Sequence, residues 1–267
     1  MVLIDSHAHV DFPQFDDDRP EVIERAQEQG LVALVNIGTN LRSSRASVDL
    51  AETYDFAYAT VGIHPHDAEK ATPAAVKELR DLAQREKVVA IGEIGLDYYR
   101  DYSPRPAQRE AFQEQLALAS DLNLPVVIHS RDAHDDTLNI LRDWEGRGVL
   151  HTYAAGMEHL DRVLGMGFFI GISGPVTYRS AGELRDVVRA APLDRLLIET
   201  DCPYLTPEPH RGRRNEPAYV RFVAQAIAKA RDESVKRIGE ETTRNACRLF
   251  GLPLLEASHQ PPGMGGA

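Results

Sequence analysis

Apolar residues fall into short continuous runs separated by stretches of helical period. The runs cover residues 2–4, 31–37, 56–63, 88–91, 125–128, 149–150, 168–172 and 196–198. The helical stretches are 19–29, 43–53, 73–84, 106–122, 133–144, 156–164, 181–189, 217–229 and 234–250, with Thr72 as an N-cap and Pro73 at the first helical position. Continuous apolar runs, as opposed to alternating ones, mark parallel strands covered on both faces. Eight such strands alternating with helices predict an α/β fold, a TIM (β/α)8 barrel in one domain over residues 1–252. A doubly wound open sheet is the alternative, but no GxGxxG follows the first strand. The Pro/Gly-rich tail, 253–267, is expected to be disordered.

In such a barrel the C-terminal ends of all strands meet at one face, where active sites are built. Of the ten histidines, His7, His9, His64, His66, His129 and His151 fall at or just past those ends, as do Glu93 and Asp201. Residues i and i+2 of a strand point to one side, so His7 and His9 can grip one metal ion. Glu93, in GEIGLDYY, has two oxygens able to bridge two cations. His129 and His151 add imidazoles, which suit Zn, Mn, Fe or Co better than Ca. Asp201 offers a further ligand and a proton acceptor. Asp5 and Glu199 lie deeper and could orient ligand imidazoles. His64 could touch substrate or help proton transfer. His134 and His159 are read as surface residues.

The segment HRGRRNEP puts Arg211, Arg213 and Arg214 after the eighth strand, where these barrels often bind phosphate. Guanidinium forks match phosphate oxygens. Arg131 is a further substrate candidate, followed by Arg100, Arg105 and Arg179. Tyr98, Tyr99, Tyr153 and Tyr204 lie in the same loops and could stack bases. Thirty basic against 41 acidic residues give a net charge of −11, which argues against non-specific coating of nucleic acid. Acid runs such as 16–18 and acidic outer helices leave a small positive entrance, suited to a chain end. Two separated cysteines, Cys202 and Cys247, no secretory signal in MVLIDSHAHV and no long apolar stretch predict a cytoplasmic monomer with reduced thiols and no membrane partner.

The segments DSHAHVDF, VGIHPHD, VVAIGEIGLDYYRDYSP, LPVVIHSRDA and RLLIETDCPYLTPEPHRGRRNEP together resemble the TatD family of metal-dependent hydrolases, over about residues 2–251. The resemblance implies a two-metal site and deoxyribonuclease activity, with 3′–5′ exonuclease action on single-stranded DNA. It implies that His7, His9, Glu93 and Asp201 hold one divalent ion and that Glu93, His129 and His151 hold a second, the ions being Mg, Mn or Zn. Catalysis would then rest on Asp201 and Glu93, with His64, Arg131, Arg211, Arg213 and Arg214 on the substrate. The stretch HTYAAG after His151 departs from the family's usual His-Cys-Phe-small-Gly, so the histidine stays while the loop changes. A related superfamily bridges its metals with a carbamylated lysine. None of the five lysines here ends a predicted strand, so Glu93 is the better bridge. The alternative is hydrolysis of amide, ester or lactone bonds on the same barrel, against which the arginine loop and tyrosines favour phosphate.

Overall fold

The computed structural model describes residues 1–253. Eight parallel strands follow one another in sequence order around a barrel. They are β1 (Leu3–Ala8), β2 (Leu31–Ile37), β3 (Ala57–Val61), β4 (Val88–Asp97), β5 (Val126–Arg131), β6 (Gly148–Leu150), β7 (Phe169–Ile172) and β8 (Leu196–Ile198). The helices are α1 (Arg19–Glu28), α2 (Leu41–Thr53), α3 (Pro73–Ala83), α4 (Arg105–Leu122), α5 (His134–Arg142), α6 (Gly156–Gly165), α7 (Gly182–Ala190), α8 (Val220–Arg231) and α9 (Val235–Phe250). The ring closes just beyond β8. There Ala8 bridges Cys202, the His9 amide donates to the Cys202 carbonyl, and the Asp201 amide donates to the His7 carbonyl, both at 2.9 Å. Closure therefore fixes His7, His9 and Asp201 relative to one another through backbone.

Strand residues sort into two apolar sets. Leu34, Val126, Ile128, Ile170, Leu196 and Ile198 pack outward against the helices. Ala33, Val35, Val127, Val149, Phe169 and Leu197 fill the interior with the end of α9, through Ala246, Leu249 and Phe250. Asn245 of α9 donates to the carbonyls of Leu193 and Leu196, both at 2.9 Å, holding that helix across the strand N-termini. The bottom is thus plugged, and the opposite face is free to carry a site. Thr72 caps α3 by accepting from the Ala75 amide.

Several boundaries differ from the sequence reading, among them β1, which runs past Ile4 to Ala8, and β5, which runs past Ile128 to Arg131. The strand expected to end at Ile91 runs on to Asp97. Gly92 and Gly95 look like breaks in sequence, but they serve close approach: a Cβ on Gly92 would lie 2.6 Å from Val127 Cβ, and one on Gly95 2.0 Å from the His129 carbonyl oxygen. The helix expected from 217 is a 3₁₀ turn, Pro217–Tyr219, before α8 begins. Among the described residues no helix is long and apolar enough to cross a membrane. The tail expected to be disordered lies outside the described residues beyond Pro253.

Candidate metal centre

The strand-end histidines converge. His7 Nε2 and His9 Nε2 are 3.2 Å apart, and Asp201 Oδ1 lies 3.6 Å from the first and 3.4 Å from the second. Glu93 sits between this group and a second one. Its Oε2 faces His7 and His9 at 3.6 and 3.9 Å. Its Oε1 faces His151 Nε2 at 2.8 Å, His129 Nδ1 at 2.9 Å and His64 Nε2 at 3.4 Å. Among the described residues three overlapping groups could hold a metal ion: His7–His9–Asp201, His7–Glu93–His151 and His64–Glu93–His129.

The donor set fits such ions. Imidazole nitrogens approach in pairs, His7 with His9 and His129 with His151 at 3.1 Å, where two lone pairs repel unless a proton or cation lies near. The Nδ1 atoms of His7 and His151 are buried with no hydrogen-bond partner among the described residues. His9 Nδ1 faces the Ile37 carbonyl at 3.2 Å, which fixes a proton there, so that in the neutral ring Nε2 is bare toward the site. His64 is the opposite case. Its Nδ1 accepts the His66 amide at 3.1 Å, so in the neutral ring Nε2 carries the proton and points a donor at Glu93. That tautomer makes His64 a hydrogen-bond donor to the site.

Charge is balanced by neighbours. Burial lowers His7 and His64 to about 4. Burial also disfavours charge on His9 and His129, but Asp201 beside His9, and Asp97 and Glu93 beside His129, raise each to about 9. Burial opposes ionisation of Glu93, yet the imidazoles of His151, His64 and His129 outweigh it and hold that carboxyl well below the usual range. Asp201 is lowered in the same way by His9, His7 and His151. The two carboxylates facing the histidines therefore stay ionised, as metal ligands must. Deeper down, burial lifts Asp5 to about 8 and Glu199 to about 7.

Glu199 and Asp97 brace the histidines from behind. Glu199 Oε1 lies 3.8 Å from His151 Nδ1 and accepts the Thr152 amide at 2.5 Å. Gly171 makes room for it, since a Cβ there would lie 2.3 Å from Glu199 Oε2. Asp5 accepts the Thr200 hydroxyl at 2.6 Å and amide at 2.9 Å, and so holds the segment leading to Asp201. Asp97 was not singled out by the sequence. Its Oδ2 lies 3.2 Å from His129 Nε2 and 2.8 Å from His66 Nε2. Asp97 lies in the GLDYY segment at the actual end of β4, six residues past the expected end at Ile91.

The rim sorts the arginines and tyrosines. Arg211 and Arg213 are exposed, and Arg211 lies over the Tyr178 ring at 4.2 Å. Arg131 lies over Tyr99 at 4.0 Å. Arg214 is engaged instead: its two terminal nitrogens meet Asp18 at 2.7 and 2.6 Å, and one also donates to the Gln14 carbonyl. Arg105 is paired with Asp101. The acid run at 16–18, expected away from the entrance, lies in the loop between β1 and α1 on the mouth side, where Asp18 neutralises Arg214. Tyr153 is buried, its hydroxyl on the Gly156 carbonyl, and Tyr98 donates to Asp136, so neither presents a free ring. His134 and His159, expected at the surface, are part-buried. His134 meets the Ser130 hydroxyl at 3.0 Å, and His159 donates to the Ala155 carbonyl at 2.9 Å. Both cysteines are buried and free.

The chain is similar to known proteins over nearly its whole length. The family model for TatD related DNase matches residues 4–251. YabD of Bacillus subtilis, described as an uncharacterised metal-dependent hydrolase, is 44% identical over 255 residues, covering 94% of this chain and 100% of that one. The 3'-5' ssDNA/RNA exonuclease TatD of Pectobacterium carotovorum is 38% identical over 259 residues, with 94% and 100% covered. The crystal structure of YjjV, a TatD homologue from Escherichia coli, superposes with a TM-score of 0.89 at 33% identity, covering 94% of this chain and 98% of that one. A match that begins in β1 and ends just past α9 takes in every strand of the barrel and every residue of the histidine–carboxylate cluster, and the chain belongs to the TatD family of metal-dependent hydrolases.

Proposed function

We propose that the protein hydrolyses phosphodiester bonds of single-stranded DNA from the 3′ end, using two divalent ions that share Glu93. The carrying observation is the split of the Glu93 carboxylate, with Oε2 toward His7 and His9 and Oε1 toward His129 and His151. His7, His9, Asp201 and Glu93 would hold one ion, and Glu93, His129 and His151 would hold the other. When bound, such ions would supply an activated water and offset the charge that develops on phosphate. Asp201, kept ionised beside His7 and His9, positions the water and accepts its proton. His64 offers its Nε2 proton to the same space. Arg131, Arg211 and Arg213 hold neighbouring phosphates. Arg214 stays on Asp18 and holds the loop. The exonuclease name of the Pectobacterium relative supports the substrate class.

Metal analysis with 3′- and 5′-labelled single-stranded DNA tests this reading. Wild-type protein should retain divalent metal and release the 3′ label first as a short product. Glu93→Ala should lose metal and cleave at background rate while keeping the circular-dichroism spectrum of the barrel. Wild-type rates in that variant would overturn the bridge. Turnover of esters, lactones or amides with none on DNA would overturn the substrate class.

A further inference from the structure

Among the described residues the exposed large apolar or aromatic side chains are Met1, Met157, Tyr99, Tyr102 and Tyr204. All three tyrosines stand on the face that carries the candidate metal centre. Tyr99 and Tyr102, 57% and 64% exposed, lie between β4 and α4, and Tyr204, 50% exposed, follows β8. Each side connects to the histidine cluster through ring contacts. Phe12 stacks on His9 with centroids 4.6 Å apart, and Tyr204 meets Phe12 edge-on at 6.4 Å. Opposite, Tyr102 meets His66 at 4.8 Å, and His66 meets His64 at 4.2 Å. Every exposed tyrosine ring on these paths is two ring contacts from a histidine that faces Glu93.

The β4 side is built for a ligand. Asp97 Oδ1 accepts the amides of Tyr99 and Arg100 at 3.0 and 2.8 Å, and the Ser103 hydroxyl donates to the His66 carbonyl at 3.0 Å. The loop is therefore fixed to the site while its rings face solvent. Arg131 and Arg100 lie over Tyr99 at 4.0 and 5.4 Å, and neither guanidinium has a carboxylate partner among the described residues. Exposed aromatic faces beside unpaired guanidinium groups are how proteins seat an unpaired nucleotide: the base stacks on the ring and its phosphate meets the cation. A folded core gives no reason to leave these rings in water.

We propose that two nucleobase stations flank the metal centre, Tyr99–Tyr102 with Arg100 and Arg131 on one side and Tyr204 backed by Phe12 on the other, so that a single strand lies across the mouth with bases stacked on both sides of the cleaved phosphate. This rests on the phosphodiesterase reading above and adds where the strand's bases go. A duplex cannot use these stations, because its bases are already stacked on each other.

Steady-state kinetics on single-stranded oligonucleotides of two to eight residues test it. In the wild type KM should fall as the strand grows long enough to reach both stations. Tyr99→Ala with Tyr102→Ala should raise KM for the octamer about 5- to 100-fold and flatten the length dependence, with kcat changed far less. Tyr204→Ala should do the same from its own side. Tyr99→Phe with Tyr102→Phe should behave as wild type, because the ring is kept. An equal KM rise for dimer and octamer, or no rise at all, would overturn the stations. If the wild type cleaves no oligonucleotide of any length, the substrate class has failed and not the stations.

Discussion

Asp97 divides its carboxylate between two tasks. One oxygen faces His129 Nε2 and His66 Nε2, and the other accepts the amides of Tyr99 and Arg100. With the carboxylate accepting, the neutral His129 ring that a metal requires carries its proton on Nε2 and turns a bare Nδ1 toward Glu93. Asp97→Asn keeps an oxygen for the loop amides but sets an amide donor against His129. The imidazole would then accept at Nε2 and place its proton on Nδ1, inside the metal centre. Calorimetric titration with Zn²⁺ or Mn²⁺ should show affinity weakened by about 10–100-fold. An affinity within twofold of wild type would mean that Asp97 serves the loop alone. His64 is the mirror case: the His66 amide on its Nδ1 fixes the opposite tautomer, so two histidines of similar position in the barrel take different roles from one hydrogen bond each.

At the scale of elements, the segment between β8 and α8 carries Asp201, Tyr204, Arg211 and Arg213 and is held at several points. Asn215 Nδ2 donates to the Thr200 and Tyr204 carbonyls at 2.9 and 2.6 Å, Arg25 meets Glu216 at 2.7 Å, and Arg214 forks onto Asp18. The Arg214–Asp18 pair is about a third exposed, so its own contribution is small, about 0.5–1 kcal/mol. Arg214→Ala should lower Tm slightly and raise KM for oligonucleotides a few-fold through a looser loop, and Arg214→Lys should not restore either, lacking the fork. A large KM rise at unchanged Tm would instead put Arg214 on phosphate. Much of this was legible in sequence. Continuous apolar runs gave the strands, and strand ends gave His7, His9, Glu93, His129, His151 and Asp201, because barrel topology brings those ends together whatever their spacing. The rest depended on contacts across the chain. Gly92 and Gly95 read as breaks because the backbone of β5 that crowds them is distant in sequence. Arg214 resembles Arg211 and Arg213 until Asp18, almost two hundred residues away, takes its fork.

The whole molecule carries a net charge of −11 and yet leaves its unpaired guanidinium groups in one region. Among the described residues, the arginines that donate no side-chain hydrogen bond and join no ion pair are Arg42, Arg100, Arg131, Arg179, Arg211 and Arg213. Each lies at a strand's C-terminal end, in the loop that follows it or in the first turn of the next helix. The same loops keep Asp17, Glu69, Asp132 and Glu208 without a cation partner, so the mouth is patterned and not uniformly basic. Such a surface neutralises a few phosphates and repels a long polyanion elsewhere. Each phosphate met on a single strand contributes about 0.7 to the slope of log affinity against log salt. Two or three contacts therefore predict a modest slope of about −1.4 to −2.1 in 1/KM for a short single strand. Arg211→Ala combined with Arg213→Ala should shrink that slope by about 1 or more and raise KM most at low salt. The same exchange on α9 at the barrel bottom, Arg237→Ala with Arg244→Ala, should leave it unchanged, since both side chains are paired with Glu233 and Glu241 away from the mouth. If that pair lowers the slope as much as the mouth pair, the salt dependence reflects the charge of the whole body and not phosphate grips at the mouth. The negative balance would then be a general brake on binding, with no local entrance set into it.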